Sequence, residues 1–340
     1  MSSDRAAVDR GSKNMNRLAA TAVSVLALTC VAAVPDVACA QDYPSHPIKL
    51  VLPQPPGGAI DLIARTLGER LSEQMNQPVI VENRPGANGG LAAGDVARST
   101  PDGYTLFMAV DTNLVVNPTL YPDLSYESFR DFTPISVLTK TALVLVANPK
   151  VIANNVRELI AYARANPGQL NYASIGLGTQ AHLGMELFKL MTKTDINQVE
   201  YRGTAPAMTD VVAGRVEIMI TGPPSAKAMS DGGKLKLLAV TGKQRHPLMP
   251  DVPTINESGV PGYEVTGWFG LLAPAKTPKP VLDRLTDEVR KAATDPRFRD
   301  RMTTQGLEVV GSTPEEMLEL MHVDTKKWAE IIKATGAKIQ

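Results

Sequence analysis

The chain has 340 residues, enough for two domains of ordinary size. With 44% hydrophobic and 21% charged residues it has a globular composition, and Lys+Arg equals Asp+Glu at 35 each. That balance, with no basic cluster interleaved with aromatics, excludes a nucleic-acid-binding function.

The N-terminus reads as a targeting segment. Lys13 and Arg17 precede an apolar run from 18 to 34, and Ala38-Cys39-Ala40 offers small residues before a cut at Gln41. The run is short for a membrane span and is interrupted by Ser24 and Thr29. Residues 1–40 are therefore expected to be a cleaved signal peptide and the mature protein to be periplasmic, with Met15 an alternative start. Cys30 and Cys39 both lie in this segment, so the mature chain has neither disulfide nor thiol chemistry. Thr29 before Cys30, and no suitably placed Leu before Cys39, argue against lipidation. Removing four basic and three acidic residues leaves 31 against 32, still near neutral.

Strand and helix patterns then alternate. A strand over 48–52, a loop over 53–58, a helix over 61–76 with Ile63, Leu67 and Leu71 on one stripe, a strand over 79–82, the Gly/Asn-rich run 83–90, a helix over 91–98 and a strand over 104–110 give the order βαβαβ. This predicts a parallel sheet covered by helices. The pattern resumes with apolar 143–147, a helix over 156–166, a strand over 171–175, a helix over 181–191, a strand over 198–201, a helix over 206–213, and strands over 217–221 and 235–240. A Pro-rich stretch, 247–261, precedes a strand over 264–273. Two long helices close the chain, 280–305 and 314–335, the second opened by the capping box Thr313 to Glu316 with Pro314 at its first position. Two α/β units follow, with the C-terminal helices returning to the first: residues 41–145 with 262–340 form one lobe and 146–261 the other. Such a pair can close about a cleft by hinge motion.

Three loops share one design, a strand leading through Gly or hydroxyl residues into a helix. They are Pro53 to Asp61, Ser174 to Gln180, and Arg202 to Ala207. First-turn amides of a helix point outward with partial positive charge, so such loops can hold an anion without a cationic side chain. Each is equally an ordinary βα turn taken alone. Ser174, Thr179 and Thr204 add hydroxyls, and Arg202 is the leading cationic candidate.

The second loop also carries Gly176-x-Gly178-x-x-Ala181, with Glu200 ending the next strand, which is a dinucleotide fingerprint. It supports a rival reading, a nicotinamide- or flavin-dependent oxidoreductase, disfavoured by export to a compartment poor in soluble nicotinamide cofactor. Other catalytic signals are thin. His46, His182, His246 and His322 make no metal-ligand spacing. Ser174 lacks the preceding Gly of a nucleophile elbow, Tyr172 standing there. His182 is read as packing against or bonding its loop. Asp61 is read as capping or ordering the first loop, with Arg65 its i+4 ion-pair partner. Trp268 and Phe269 are read as core before cleft.

At these loops the sequence resembles the Bug family, the extracytoplasmic solute receptors of tripartite tricarboxylate transporters. The resemblance runs from Tyr43 to Gly336 on an ordered set of motifs: Pro56-Gly57-Gly58 with Asp61 and Ala64-Arg65, Val81-Glu82-Asn83-Arg84-Pro85-Gly86-Ala87, Pro101-Asp102-Gly103-Tyr104, Asn171-Tyr172-Ala173-Ser174, Tyr201-Arg202-Gly203, Pro250-Asp251-Val252-Pro253-Thr254 and Trp268-Phe269-Gly270. It implies a type 2 periplasmic-binding-protein (Venus flytrap) fold, two α/β lobes around a cleft. It also implies a small carboxylate ligand, often held through water, and a two-component membrane permease as partner.

The expected ligand-binding set is Gly57, Gly58, Ala59, Ile60, Asp61, Thr112, Ser174, Gly176, Gly178, Thr179, Gln180, Arg202, Gly203, Thr204 and Ala205, in a monomer without cofactor, metal or catalytic residue. The sequence departs from the family pattern at Ile60, where a Thr is frequent, at Gly222-Pro223-Pro224-Ser225 and at Asp111-Thr112-Asn113. These departures leave an aromatic carboxylate as open as a di- or tricarboxylate. A ligand sensor without its own permease, and a scaffold without ligand, stand as further alternatives.

Overall fold

The computed structural model describes residues 43–336, so the signal-peptide expectation lies outside the described residues. Residues 44–336 contain two mixed sheets. The first has the order β11-β4-β10-β3-β1-β2 and the second β7-β6-β8-β5-β9.

In the first sheet β1 (Ile48–Leu52) lies parallel to β2 (Val79–Asn83) and β3 (Thr105–Val110). The β-prone apolar strand β1 is buried almost throughout, as a strand covered on both faces should be. Helix α1 (Ala59–Met75) and helix α2 (Gly90–Ala97) are the crossovers. The parallel set ends there. Strand β10 (Thr266–Pro274) runs antiparallel to β3 and to β4 (Phe132–Ala142), and the two-residue β11 (Glu308–Val309) antiparallel to β4. The expected all-parallel sheet is thus corrected to a mixed one.

The stretch between β3 and the second sheet, given no element by the sequence pattern, forms α3 (Asp111–Val115), α4 (Asn117–Leu120), α5 (Ser128–Asp131) and β4.

In the second sheet β6 (Leu170–Ser174) is parallel to β7 (Ile196–Glu200) and β8 (Ile218–Thr221), while β5 (Val144–Ala147) is antiparallel to β8 and β9 (Lys236–Val240). Its helices are α6 (Val156–Ala165), α7 (Gln180–Thr192), α8 (Thr204–Ala213) and α9 (Pro223–Asp231). The expected single helix over 280–305 is two, α10 (Lys279–Thr294) and α11 (Pro296–Thr303). Pro296 bars Asp295 from helical geometry, and the Asp295 side chain instead caps α11 by accepting from Arg297 N at 2.8 Å. The last helix, α12 (Pro314–Thr335), has its capping box in place.

The chain passes between the sheets twice, from Ala142 to Val144 and between Val240 and Thr266. Thr241, with no exposed surface, binds these passages together. Its Oγ1 accepts from Leu143 N at 2.8 Å and donates to Val265 O at 2.7 Å, while its backbone pairs with the same two residues. A continuous apolar core joins the two sheets, from Phe107 and Trp268 of the first to Tyr172 and Ile220 of the second, with Met321 and Trp328 of α12 packed into it. A second core, including Val144, Met219 and Val240, fills the opposite face of the second sheet.

Candidate functional site

The three loops all leave the C-terminal ends of parallel strands, where βα turns present helix N-termini. The first joins β1 to α1. Gly57 adopts φ +92°, open to glycine at little cost, and Gly58 is the N-cap of α1. Gly57, Gly58 and Ala59 are exposed, whereas Ile60 is wholly buried in protein. Asp61 accepts from Gly57 N at 3.1 Å, from Arg65 Nε and Nη2 at 3.0 Å each, and from Asn83 Nδ2 at 3.1 Å. Burial raises its pKa, but the hydrogen bonds from Arg65, Gly57 and Asn83 outweigh burial and hold it below the ordinary carboxylate range. Its acceptor sites are spent on the loop, so Asp61 shapes the turn.

The second loop joins β6 to α7. Gly176 (φ +131°) and Gly178 (φ +75°) allow its path. Thr179 caps α7: its Oγ1 accepts from His182 N at 3.3 Å and donates to Gly176 O at 2.8 Å. Gly178 N donates to His182 Nδ1 at 3.3 Å, which places the ring proton of the neutral histidine on Nε2. Burial lowers the His182 pKa and favours that neutral form. The amide of Gly178, expected among the anion donors, is therefore already engaged. By contrast Ser174 Oγ, on a residue only 1% exposed, has no hydrogen-bond partner among the described residues.

The third loop follows β7. Tyr201 N donates to Ser174 O at 2.8 Å, which ties it to the second. Gly203 (φ +104°) caps α8, and Arg202, Thr204 and Ala205 stand exposed around it.

The first sheet meets the second loop directly. Gln180 Nε2 donates to Asp111 Oδ2 at 2.6 Å, and Gly267 leaves no room for a Cβ against the Gln180 amide. Gln180 thus joins two elements instead of presenting a free amide. Thr112 is buried and its N–H donates to Asp111 Oδ1 at 2.6 Å. Burial pushes the Asp111 carboxyl up to about 7, against the hydrogen bond from Gln180. A Cβ at Gly178 would lie 2.8 Å from Leu120 Cδ1. The second glycine of the dinucleotide fingerprint therefore admits Leu120 of α4, where a nucleotide fold admits a pyrophosphate. Asn88, which adopts φ +46°, is fixed beside this contact: Asn113 Nδ2 and Asn117 Nδ2 donate to its carbonyl at 2.8 and 3.0 Å.

Sequence reasoning missed Leu120, Asn88 and Thr221. Thr221 ends β8, is 1% exposed, and its Oγ1, like Ser174 Oγ, has no partner among the described residues. No local pattern marks it. After it, Pro223 and Pro224 open α9 and remove two of that helix end's amide donors. Trp268 and Phe269 are buried, and Trp268 Nε1 donates to Asp324 Oδ2 at 2.8 Å. Among the described residues no group of His, Cys, Asp or Glu can hold a metal ion, and no helix is long and apolar enough to cross a membrane.

The mixed sheets, the double passage and the paired loops define a two-lobed solute receptor of the type 2 binding-protein class. The family described as "Tripartite tricarboxylate transporter family receptor" matches residues 63–337, and the chain belongs to it. Among its relatives, Protein BugT of Bordetella pertussis is 34% identical over 96% of this chain and 100% of its own. A protein in the tcbD-tcbE intergenic region of Pseudomonas sp. (strain P51) is 39% identical over 85% of this chain and 86% of its own.

Similar solved structures include an R. palustris protein with adipate (TM-score 0.81, 34% identity, 87% of this chain and 100% of that one). MatC from Rhodopseudomonas palustris with bound malate is another (TM-score 0.76, 31% identity, 85% and 100%). Periplasmic binding protein BugD is a third (TM-score 0.78, 34% identity, 88% and 100%). Nothing in these likenesses supports the oxidoreductase reading.

Proposed function

We propose that this chain is a periplasmic receptor that captures a small carboxylate between its two lobes and delivers it to a two-component membrane permease. The lobes are residues 41–145 with 262–340, and 146–261, and a signal peptide over 1–40 directs export. The observation that carries the reading is Ser174 Oγ, buried and without a partner at the meeting of the second and third loops. A buried hydroxyl without a partner costs free energy that an acceptor group of a ligand would recover. The ligand's carboxylate lies between that hydroxyl and the first-turn amides of α1, α7 and α8, with Gly57, Gly58, Ala59, Gly176, Gly203, Thr204 and Ala205 forming the rim. Asp61, Gln180, Thr179 and Gly178 act through the shape of the loops. Ile60 and Thr112 pack behind them, and Arg202 stands at the mouth. The malate and adipate of the solved relatives support a dicarboxylate.

The receptor acts as a monomer and performs no chemistry. The two side chains nearest to a catalytic role are already committed, Asp61 to Arg65 and Asn83, His182 to Gly178. Calorimetry with malate, adipate and an aromatic dicarboxylate tests the proposal. At least one is expected to bind with micromolar affinity, and Ser174→Ala to weaken it about tenfold, the scale of a hydrogen bond to a charged group. Absence of binding by every carboxylate would refute the ligand class. Equal binding by Ser174→Ala would refute the site.

A further inference from the structure

In the second sheet, β7-β6-β8-β5-β9, the connections from β6 and β8 diverge. Strand β6 leads through α7 to the edge strand β7, and β8 leads through α9 to β9 at the other edge. The crevice between the C-terminal ends of β6 and β8 is therefore a topological switch point, the place where α/β sheets take their ligands. Ser174 ends β6 and Thr221 ends β8. Both residues are 1% exposed, and among the described residues neither hydroxyl oxygen has a hydrogen-bond partner.

The two hydroxyls belong to opposite faces of the sheet, because side chains alternate along a strand. Ser174 shares the face of Tyr172, which lies in the core that joins the two sheets. Thr221 shares the face of Met219 and of Val144, its partner in the β5–β8 register, and both of these lie in the second core. The helices divide in the same way. Helix α7 packs Leu183 and Leu187 into the first core, and α8 packs Ala207 and Val211 into the second. Gly203 gives α8 no side-chain cap, and the amides of Thr204 and Ala205 precede Pro206, which has none. A Cβ on Gly222, next to Thr221, would meet nothing within 4 Å, so there is open space at the end of β8.

We infer that Thr221 is a specificity residue of the receptor, its hydroxyl donating to the far carboxylate of a dicarboxylate whose near carboxylate faces Ser174. The inference rests on the receptor reading above and names the ligand's second anchor. Strands β6 and β8 are neighbours, about 4.8 Å apart at ordinary spacing, so the two hydroxyls flank one crevice. A molecule with an acceptor at each end satisfies both. A monocarboxylate satisfies one and leaves the other buried hydroxyl unpaired, and a site of that kind discriminates strongly against the analogue that lacks the second group. The first turn of α8, on the face of Thr221, adds partial positive charge at this end.

Calorimetry with three pairs of acids tests this: succinate against butanoate, adipate against hexanoate, and benzene-1,4-dicarboxylate against benzoate. In the pair that binds, the diacid is expected to bind at least about tenfold more tightly than the monoacid. Thr221→Val should weaken the diacid about tenfold and leave the monoacid unchanged, with Thr221→Ser close to the parent. Without ligand, Thr221→Val should melt no lower than the parent, since the hydroxyl it removes has no partner. The inference is overturned if the monoacid binds as tightly as the diacid, if Thr221→Val binds the diacid as the parent does, or if it weakens both acids alike. A lower melting point for Thr221→Val without ligand would show a bond within the protein and overturn it too. In each of these cases the receptor reading stands so long as Ser174→Ala weakens the diacid. If none of the acids binds the parent, the receptor reading falls and the inference with it.

Discussion

The side-chain amide of Gln180 donates to Oδ2 of Asp111 at 2.6 Å, linking the first residue of α7 to the first residue of α3 across 69 positions of sequence. Asp111 has no exposed surface, and its pKa is pushed up to about 7 by burial. Between the ordinary carboxylate value and about 7 the folded chain holds a proton that the unfolded chain has lost. The stabilisation is complete below the ordinary value and disappears as pH rises toward 7. Thermal melts of the parent minus Asp111→Asn should therefore show the parent losing ground as pH climbs from about 4 to about 8. The parent's own curve will not display this alone. His182 and His246, both lowered by burial, lose stability in the opposite direction, as pH falls. A flat difference curve would show that Asp111 titrates normally.

Gly178 and Leu120 form the second contact between the same regions. Gly178→Ala should cost roughly 1–2 kcal/mol for the left-handed backbone alone, with the clash against Leu120 added. Leu120→Ala opens the space. The double variant should be less destabilised than the sum of the single ones in a denaturant titration. Strict additivity would mean that the two residues do not touch in solution.

Thr241→Val keeps shape and removes one oxygen. Leu143 N loses the acceptor Oγ1, and Val265 O loses the donor, in a site with no exposure. A cost of about 1–3 kcal/mol for each group left unpaired is expected in urea unfolding, with Thr241→Ser close to the parent. A Thr241→Ser variant as weak as Thr241→Val would assign the effect to the methyl group.

Asp61→Ala should release the first loop while leaving the sheets intact. Gly57 N, Arg65 and Asn83 all lose their shared acceptor. Carboxylate affinity is expected to fall about tenfold or more, with a stability loss of about 1–3 kcal/mol. Calorimetry and melting on the same preparation separate the two. Unchanged affinity would remove the loop from the site.

The parts legible in the sequence are those set by near neighbours. Thr313, Pro314 and Glu316 announce α12 to its first residue, and the i,i+4 spacing of Asp61 and Arg65 announces their ion pair. Strand β4 was illegible because it is buried along most of its length and interrupted by Pro134, so it shows no two-residue alternation. The antiparallel sense of β5 and β10 is a property of the passages between sheets, which no window of sequence contains. The site divides in the same way. Loop glycines and caps could be read locally. That Gln180 would meet Asp111, that Leu120 would cover Gly178, and that Ser174 and Thr221 would be left with idle hydroxyls all depend on how distant elements dock.

Thr241 carries a mechanical consequence. One oxygen atom is shared by both strands of chain that run between the sheets, so neither strand can bend without displacing the other. A displacement of either passage is therefore transmitted to the other through that atom for as long as its two bonds hold.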